Sequence, residues 1–544
     1  MSGQRFAVVS RVCLLALYAV ISIHYFPNWE FTGDDGRALS TALRLLHDPF
    51  GSTNTNSLGI YYSPVIYHVY SIFYYFHPSL VSVQLGILAG ILLGHYFLML
   101  IGQELGRPAL GYFASLFLFF SPSLFNDFNQ KFWEPALLPA FSSFMLWSLL
   151  RYLNSGRFKF ILASFFGLMF CLACHAGAML FLPVLLVGIA LKQPSNEVGF
   201  NFKNIFTLIL ITIVGAAGII YWAIEAYPLA FVVVALLALI SVVFLQKVKN
   251  VSHFIFYFLF VCLPVAIFGW SLFYSNAFQQ APEAIVDIIS PFGAYIPLRI
   301  GVTDFFESNL LRYFPEAMLV VVFIVMSLFH FQRQILREKI LVIWVVFPLF
   351  MAILTGALMR SFPHQWTLIL FPGLWIAILL PVFRLLDLLK ESPKIRRTLM
   401  VVLIGMVVLN ASYSFRYAAQ IRRSGGIRWH HASLSTKEAV IRKILKTSAE
   451  PAIFLALSQA KPLWWYDVGG WYFLVQNMKA SDSSAEHANN DGRVFYIFQE
   501  DGIASDPRVR QKLAQIPMVK IEKTASVTVF QCKRRISGLG IKLY

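Results

Sequence analysis

The stretch VVSRVCLLALYAVISIHYFPNWEFTGDDGR, residues 8–37, contains the two features that decide the fold class and the candidate site. Residues 8–28 are almost wholly apolar, and about 20 such residues are enough to cross a bilayer as one helix. Two adjacent carboxylates, Asp34 and Asp35, follow shortly after that segment. Ionisable groups at the edge of a bilayer are costly, so they are kept mainly where they pair, bind or react. The acidic pair is therefore the first candidate for chemistry.

The rest of the chain has the same apolar character. Of its 544 residues, 58% are hydrophobic, 16% aromatic and only 13% charged, which excludes a single soluble core. Hydropathy predicts about thirteen spans, and the sequence therefore indicates an all-α polytopic membrane protein. The predicted spans lie near residues 8–28, 81–101, 108–124, 135–152, 158–174, 177–191, 204–224, 227–246, 252–274, 315–331, 339–358, 366–388 and 398–418. The segment Tyr61–Phe76 is rich in tyrosine and flanked by proline, which favours an interfacial or re-entrant element.

Lysine and arginine collect in alternate short loops between the predicted spans, and this pattern places the N-terminus in the cytoplasm. The net charge of +17, from 44 Lys+Arg against 27 Asp+Glu, then follows from topology and lipid contact and requires no nucleic-acid partner. The outer side receives the loops 29–80 and 275–314 and everything after about residue 418. A basic run near Arg422 does not fit this orientation.

The chain divides into a multi-span domain, residues 1–418, and a tail, residues 419–544, of different character. The tail pattern predicts a small extracytoplasmic α/β domain. Its expected elements are a helix over 435–446 that starts with a capping box at Ser435 and Glu438, strands over 451–458 and 493–498, and a hairpin of 519–523 with 526–532. The aromatic clusters Trp464-Trp465-Tyr466 and Trp471-Tyr472 suit stacking on sugars and equally docking on lipid headgroups.

Residues 37–47, directly after the acidic pair, place Leu39, Leu43 and Leu46 on one face, as in an amphipathic helix along the membrane surface. One interpretation of the pair is that Asp34 or Asp35 only caps this helix. The other is general-base catalysis, because a partly desolvated carboxylate with a like-charged neighbour has a raised proton affinity.

Several motifs, in this order, resemble the GT-C superfamily of polyprenyl-phosphate-dependent glycosyltransferases, which includes protein mannosyltransferases and aminoarabinose transferases. After the acidic pair and the surface helix comes an aromatic stretch at Tyr61–Pro64. The later motifs are Ser121-Pro122, the outer turn at His175 before a span with Pro183, and Arg360–Trp366 leading into a helix with Pro372. The resemblance covers roughly the first four hundred residues.

The resemblance implies that the first acidic position, Asp34, is the catalytic base, with Asp35 beside it as the alternative. A second acidic position in the next outer loop maps to Asp127 or Glu134, each of which is equally explained as an ordinary loop or helix-start charge. Cations at the outer membrane edge would hold the donor phosphate, although interfacial arginines also serve as simple anchors. The candidate cations are Arg360, His364, His175, Arg299 and Arg312.

The implied activity is transfer of a sugar from a polyprenyl-phosphate donor to a lipid, glycan or protein acceptor at the outer face of the membrane. No cofactor is required, and a divalent cation, Mg²⁺ or Mn²⁺, at Asp34 and Asp35 is an open alternative. A transporter or flippase of a lipid-linked sugar, and an O-antigen-type polymerase or ligase, are the competing functions. The expected partners are the lipid-linked donor, a lipid or glycan acceptor and membrane lipids, and the expected location is the bacterial inner membrane with a periplasmic tail domain.

Overall fold

The computed structural model describes the two ends of the chain and part of its middle. The described residues are 3–25, 31, 33–47, 64–121, 132, 134–157, 159–174, 178, 181, 184–185, 188, 336–346, 365–424, 433–447, 453–456, 471, 473–474, 495–500, 519–523 and 527–532. The predicted spans between residues 204 and 331 and the loop 275–314 lie outside them.

Within these residues the fold consists of helices followed by a short sheet. The helices are α1 (Gly3–Tyr25), α2 (Gly33–His47), α3 (Pro64–Phe76), α4 (Leu80–Glu104), α5 (Pro108–Phe119), α6 (Leu138–Ser155), α7 (Lys159–Cys174), α8 (336–346), α9 (Gln365–Leu388), α10 (Pro393–Ser424) and α11 (Leu434–Thr447). One turn of 3₁₀ helix, Glu134–Leu137, leads into α6, and another, Leu389–Glu391, follows α9.

Four helical segments among the described residues are long and apolar enough to cross a membrane. They are Ala7–Tyr25, Leu80–Glu104, Pro372–Glu391 and Pro393–Arg416, and Pro108–Phe119 and Lys159–Cys171 are shorter apolar helices. Seven predicted windows coincide with described helices: α1, α4, α5, α6, α7, α9 and α10. The protein is thus helical and carries apolar spans, whereas the total of thirteen stays a prediction. The segment Tyr61–Phe76 contains the single 13-residue helix α3, which is too short to span alone.

Helices α4, α5 and α6 pack backbone against backbone because small residues face one another. A Cβ built on Gly94 of α4 would lie 2.9 Å from Ala140 Cα of α6. A Cβ on Gly111 of α5 would lie 2.6 Å from Met99 O of α4. Close approach at small residues is the usual way in which helices associate inside lipid. Tight pairing of α4 with its neighbours therefore forms the centre of the described bundle.

One end of the bundle is held by ion pairs around two buried glutamates. Glu338, whose side chain is only 4% exposed, contacts Arg384 and lies 3.3 Å from Arg107. Glu104, 8% exposed, accepts hydrogen bonds from Arg151 at 2.9 Å and from Asn154 at 2.6 Å. These contacts join the ends of α4, α6 and α9 to the starts of α5 and α8. We call this the basic end of the bundle.

Helices α5 and α10 both run from the basic end of the bundle to the opposite end. Helix α10 starts next to the basic end, after Leu389–Glu391, and its Ser414 hydroxyl donates to Phe120 O at the far end of α5. In the span region, the Ser115 hydroxyl of α5 lies 3.2 Å from Tyr18 Oη and 3.1 Å from His95 Nδ1. This buried polar group ties α1 and α4 to α5 between the two ends.

Helix α2 is amphipathic as predicted, but its buried face is turned from the predicted one. Leu39 is fully buried, whereas Leu43 and Leu46 are only partly buried. The other fully buried positions of this face are Ala38, Thr41, Ala42 and Leu45. Helix α2 packs against α3, so protein contacts decide which of its positions are buried.

The tail contains a four-stranded sheet in the order β1-β2-β4-β3. Its strands are β1 (Ile453–Ala456), β2 (Phe495–Glu500), β3 (Val519–Lys523) and β4 (Val527–Cys532). β1 pairs parallel with β2, and the other pairs are antiparallel. All four strands overlap the segments that the sequence predicted as strands. That they and α11 form a domain of their own, on the outer face, stays a prediction.

Candidate functional site

Asp35 is the predicted site residue whose surroundings the structure describes most fully. It lies in the first turn of α2, and its side chain is 1% exposed. Its Oδ1 accepts a hydrogen bond of 2.7 Å from the backbone N–H of Phe132, which is itself buried. A hydrogen bond from an amide to a charged acceptor is shorter and stronger than one between neutral groups. Asp35 therefore links the helix after the first span to a segment nearly a hundred residues further along the chain.

The start of α2 bears on the interpretation that Asp34 or Asp35 only caps this helix. Helix α2 begins at Gly33, so Asp34 and Asp35 both lie inside its first turn and not at the residue before it. Carboxylates in a first turn are favoured by the positive end of the helix dipole. The Asp35 carboxylate nevertheless holds a distant backbone amide, which a cap for its own helix would not require.

The contact at Phe132 brings together the two loops in which the acidic candidates were predicted. Phe132 stands between Asp127 and Glu134 in the sequence. Glu134 opens the 3₁₀ turn that leads into α6, and Asp127 lies outside the described residues. The chain segment between Asp127 and Glu134 therefore contacts α2, the helix that contains Asp34 and Asp35.

A third segment, from the tail, reaches the same place. The Nζ of Lys437 in α11 donates a hydrogen bond of 2.7 Å to the carbonyl oxygen of Phe31. The ring of Phe31 packs edge-on against Phe132, with centroids 6.1 Å apart, and is stacked on Phe473 at 6.3 Å. We call Phe31, Asp35, Phe132, Lys437 and Phe473 the junction cluster. It joins the first loop, the second loop and the tail at the end of the bundle opposite the basic end.

The predicted phosphate-binding cations lie outside the described residues. They are Arg360, His364, His175, Arg299 and Arg312. Helix α9 begins at Gln365 and α7 ends at Cys174, directly beside two of these positions. The end of α7 and the start of α9 lie away from the basic end. The start of α7 and the end of α9 lie near it. Their role in binding a phosphate stays a prediction.

Two expectations for the tail are wrong in detail. The cap of α11 is Ser433, whose hydroxyl accepts from the N–H of Thr436 at 3.3 Å, and not Ser435 with Glu438. Glu438 lies 3.4 Å from Arg442 one turn later, and burial raises the pKa of Glu438 while Arg442 acts in the opposite direction. Trp471 is 1% exposed, so it is not available to stack on a sugar or to dock on headgroups.

Sequence patterns did not point to Lys437 or Phe132. Lys437 falls in an ordinary amphipathic helix with several other lysines and arginines, and no motif distinguishes it. The only available signal was its position on the apolar face, one turn before the buried Ile441 and two before Ile444. A lysine on that face predicts a specific partner, because an ammonium group is rarely buried without one.

The arrangement can hold a carboxylate in a fixed, partly desolvated position at one end of a membrane bundle. Such a group can accept a proton from a hydroxyl or amine acceptor, provided that the acceptor reaches hydrogen-bonding distance. Among the residues that the structure describes, no cluster of three or more His, Cys, Asp or Glu side chains could hold a metal ion. A divalent cation at Asp34 and Asp35 stays the open alternative to a reaction without a cofactor.

No family model and no curated protein matches the chain. Solved structures do match. ArnT from Cupriavidus metallidurans bound to undecaprenyl phosphate is 11% identical with a TM-score of 0.35, and the match covers 96% of this chain and 97% of that one. The archaeal oligosaccharyltransferase AglB from Archaeoglobus fulgidus, in complex with an inhibitory peptide and a dolichol-phosphate, is 15% identical with a TM-score of 0.46, over 81% of this chain and 58% of that one. Both are GT-C glycosyltransferases, the superfamily that the motifs resemble. At these TM-scores, no correspondence of individual residues follows.

Proposed function

We propose that this protein is an integral-membrane glycosyltransferase that moves a sugar from a polyprenyl-phosphate donor to a lipid, glycan or protein acceptor. The observation that carries the proposal is the placement of the acidic pair. Asp34 and Asp35 open a helix beyond the first span, Asp35 is buried, and its carboxylate is fixed by the Phe132 amide at 2.7 Å. A surface charge without a role would be solvated and unpaired, whereas this one is held in a packed junction between loops.

In the proposed reaction, one carboxylate of the acidic pair accepts the proton of the acceptor hydroxyl or amine. The acceptor oxygen or nitrogen forms a bond to the anomeric carbon of the sugar as the bond from that carbon to the phosphate oxygen breaks. Both electrons of the broken bond leave with the polyprenyl phosphate, and the sugar is transferred with inversion. Catalysis is then mainly positioning of the reactants and stabilisation of the leaving phosphate by cations.

We propose different roles for Asp34 and Asp35. Asp35 is already engaged by the Phe132 amide, which fixes the position of its carboxylate. Asp34 precedes it in the same helical turn and matches the base position that the superfamily resemblance implies. We therefore assign the base to Asp34 and the positioning of the second loop to Asp35.

The test is transfer of labelled sugar in liposomes from a panel of polyprenyl-phosphate donors, comparing wild type with Asp34→Asn and Asp35→Asn. Asp34→Asn should abolish transfer while donor binding is kept, and general-base catalysis usually contributes about 10²–10⁴-fold. Asp387→Asn is the matched control, because Asp387 is a 48% exposed carboxylate at the basic end. If wild type carries the lipid-linked sugar across the bilayer without transfer, and Asp34→Asn does the same, the protein is a transporter and the proposal is wrong.

A further inference from the structure

One buried lysine of the tail, Lys437, contacts the main chain just before the acidic pair. Lys437 is 0% exposed, and its Nζ donates to Phe31 O at 2.7 Å and lies 5.0 Å from the centre of the Trp471 ring. Phe31 stands three residues before Asp34 in the sequence. The ammonium group of the tail therefore holds the main chain immediately before the acidic pair.

A lysine in this position is costly, and this cost argues for a specific contact. An ammonium group removed from water loses its hydration, and the loss is compensated only by well-placed partners. Here the ammonium has a carbonyl oxygen and the face of an indole ring, which attracts cations most strongly when water is excluded. An apolar side chain such as Leu would fill the same space at lower cost if packing of α11 were all that mattered.

The aromatic contacts around Lys437 point to the same segment. Phe31 is 2% exposed and touches Phe473 of the tail on one side and Phe132 of the second loop on the other. The Asp35 carboxylate also binds the Phe132 amide, so the first loop contacts both the tail and the second loop. Displacement of Phe31 would displace the start of α2 and, with it, both carboxylates.

We infer that Lys437 is a positioning residue for the transfer site and that the tail is a structural part of that site. The role in transfer rests on the proposed function, while the anchoring itself rests on the contacts of Lys437, Trp471 and Phe473. Lys437 touches neither donor nor acceptor in this account. It fixes the main chain at Phe31 so that the acidic pair meets the acceptor in a productive geometry, where a misplacement of about 1 Å can cost about 10²-fold in rate.

The experiment compares full-length wild type with Lys437→Met, Lys437→Arg and Lys443→Met in liposomes. Met keeps the length of the side chain and removes the donor, Arg restores a cationic donor, and Lys443 is an exposed lysine on the same helix that controls for loss of charge. Two measurements are made first: the rate of hydrogen–deuterium exchange over residues 31–41, and the kinetics of sugar transfer, which give kcat and KM. A third measurement, the stoichiometry of polyprenyl-phosphate binding, counts the folded protein.

Lys437→Met should speed exchange over residues 31–41 by about 10-fold, as expected for loss of one buried hydrogen bond to a charged donor. It should lower kcat by about 10-fold or more, with KM and binding stoichiometry unchanged. Lys437→Arg should recover most of both losses, and Lys443→Met should match wild type. A purely structural role would instead reduce binding stoichiometry and kcat together.

Unchanged exchange over residues 31–41 in Lys437→Met would overturn the inference, and so would faster exchange with unchanged kcat. If wild type transfers no sugar at all, the proposed function fails separately, and the exchange comparison still decides whether the tail holds the loop. If Lys437→Met does not fold, Trp471→Phe weakens the same anchor from its other side while keeping a buried ring, and the same exchange comparison applies.

Discussion

Replacement of Asp35 by alanine tests whether the acidic pair fixes the second loop. The Oδ1 of Asp35 accepts from the Phe132 amide at 2.7 Å, and the two residues are each 1% exposed. Alanine removes the acceptor and leaves the Phe132 N–H buried without this partner. A buried hydrogen bond to a charged group contributes about 1.5–3 kcal/mol, so we take about 2 kcal/mol for this one. Asp35→Asn keeps an acceptor oxygen but loses the charge, and should cost about 1 kcal/mol.

Hydrogen–deuterium exchange at the Phe132 amide measures this bond directly, because exchange reports the free energy of local opening. A loss of about 2 kcal/mol corresponds to about 30-fold faster exchange in Asp35→Ala. Asp35→Asn should lie between that value and wild type. Asp387→Ala, which removes a half-exposed carboxylate at the basic end, should leave the Phe132 amide unchanged.

Equal exchange at Phe132 in Asp35→Ala and wild type would refute a stabilising role of this hydrogen bond. The same effect in Asp387→Ala would also refute it, because the change would then report general loosening of the bundle. The order alanine, asparagine, wild type is the specific signature of a charged acceptor. A rate at Phe132 that depends only on side-chain size would contradict it.

Three further changes have expected outcomes that unfolding in detergent can measure. Gly111→Ala places a Cβ about 2.6 Å from Met99 O, so strain should lower the free energy of unfolding by about 1–3 kcal/mol. Glu338→Gln uncharges a buried partner of two arginines and should cost about 3–5 kcal/mol. Burial raises the pKa of Glu438, so its stabilising contribution is complete below the unfolded pKa of about 4.3 and is lost as pH rises through the folded pKa. Wild type should therefore become less stable relative to Glu438→Gln as pH rises from 4 to 7.

Two of these changes have a control variant in the same chain, and the third has a distinct opposing outcome. A Cβ on Gly405 has nothing within 4 Å, so Gly405→Ala should not destabilise the protein as Gly111→Ala does. Asp387→Asn breaks an exposed ion pair to Arg107 and should cost no more than about 1 kcal/mol. The stability difference between wild type and Glu438→Gln should be independent of pH if that carboxyl titrates equally in the folded and unfolded chain. Loss of stability in Gly405→Ala, or a large effect of Asp387→Asn, would contradict the packing assigned to these positions.

The sequence predicted the helices better than it predicted their neighbours. Apolar windows of sufficient length identify helices such as α4 and α10. A membrane span must form all its backbone hydrogen bonds internally, so a long apolar segment in lipid is a helix. The strands of the tail were found equally well, since β3 and β4 alternate clearly between apolar and polar residues. Local patterns of this kind depend only on residues close in the chain, and for that reason the sequence shows them.

The contacts of the candidate site could not be predicted in this way. Asp35 meets Phe132, and Lys437 meets Phe31 across most of the length of the chain. No periodicity relates such distant positions, and the buried lysine looks like any charge of an amphipathic helix. The cap of α11 was misassigned for a related reason: Ser433 and Ser435 are both capping residue types, and only the chain geometry selects the first one. The sequence therefore indicated candidate residues for the chemistry, and the fold shows which distant residues hold Asp35 and Phe31 in place.

The two ends of the bundle bear differently on the competing functions. A carrier that moves a lipid-linked sugar must open its binding site to both sides in turn, usually by rocking one group of helices against another. At the basic end, Glu338 and Glu104 tie the starts of α5 and α8 to the ends of α4, α6 and α9 through buried ion pairs. Breaking one such pair leaves an uncompensated buried charge, which is strongly unfavourable. Asp35 lies at the other end, where its carboxylate accepts from the Phe132 amide of the second loop. Rocking of the described helices against one another would therefore have to break buried ion pairs at the basic end, a cost that the proposed transfer reaction at the other end does not require.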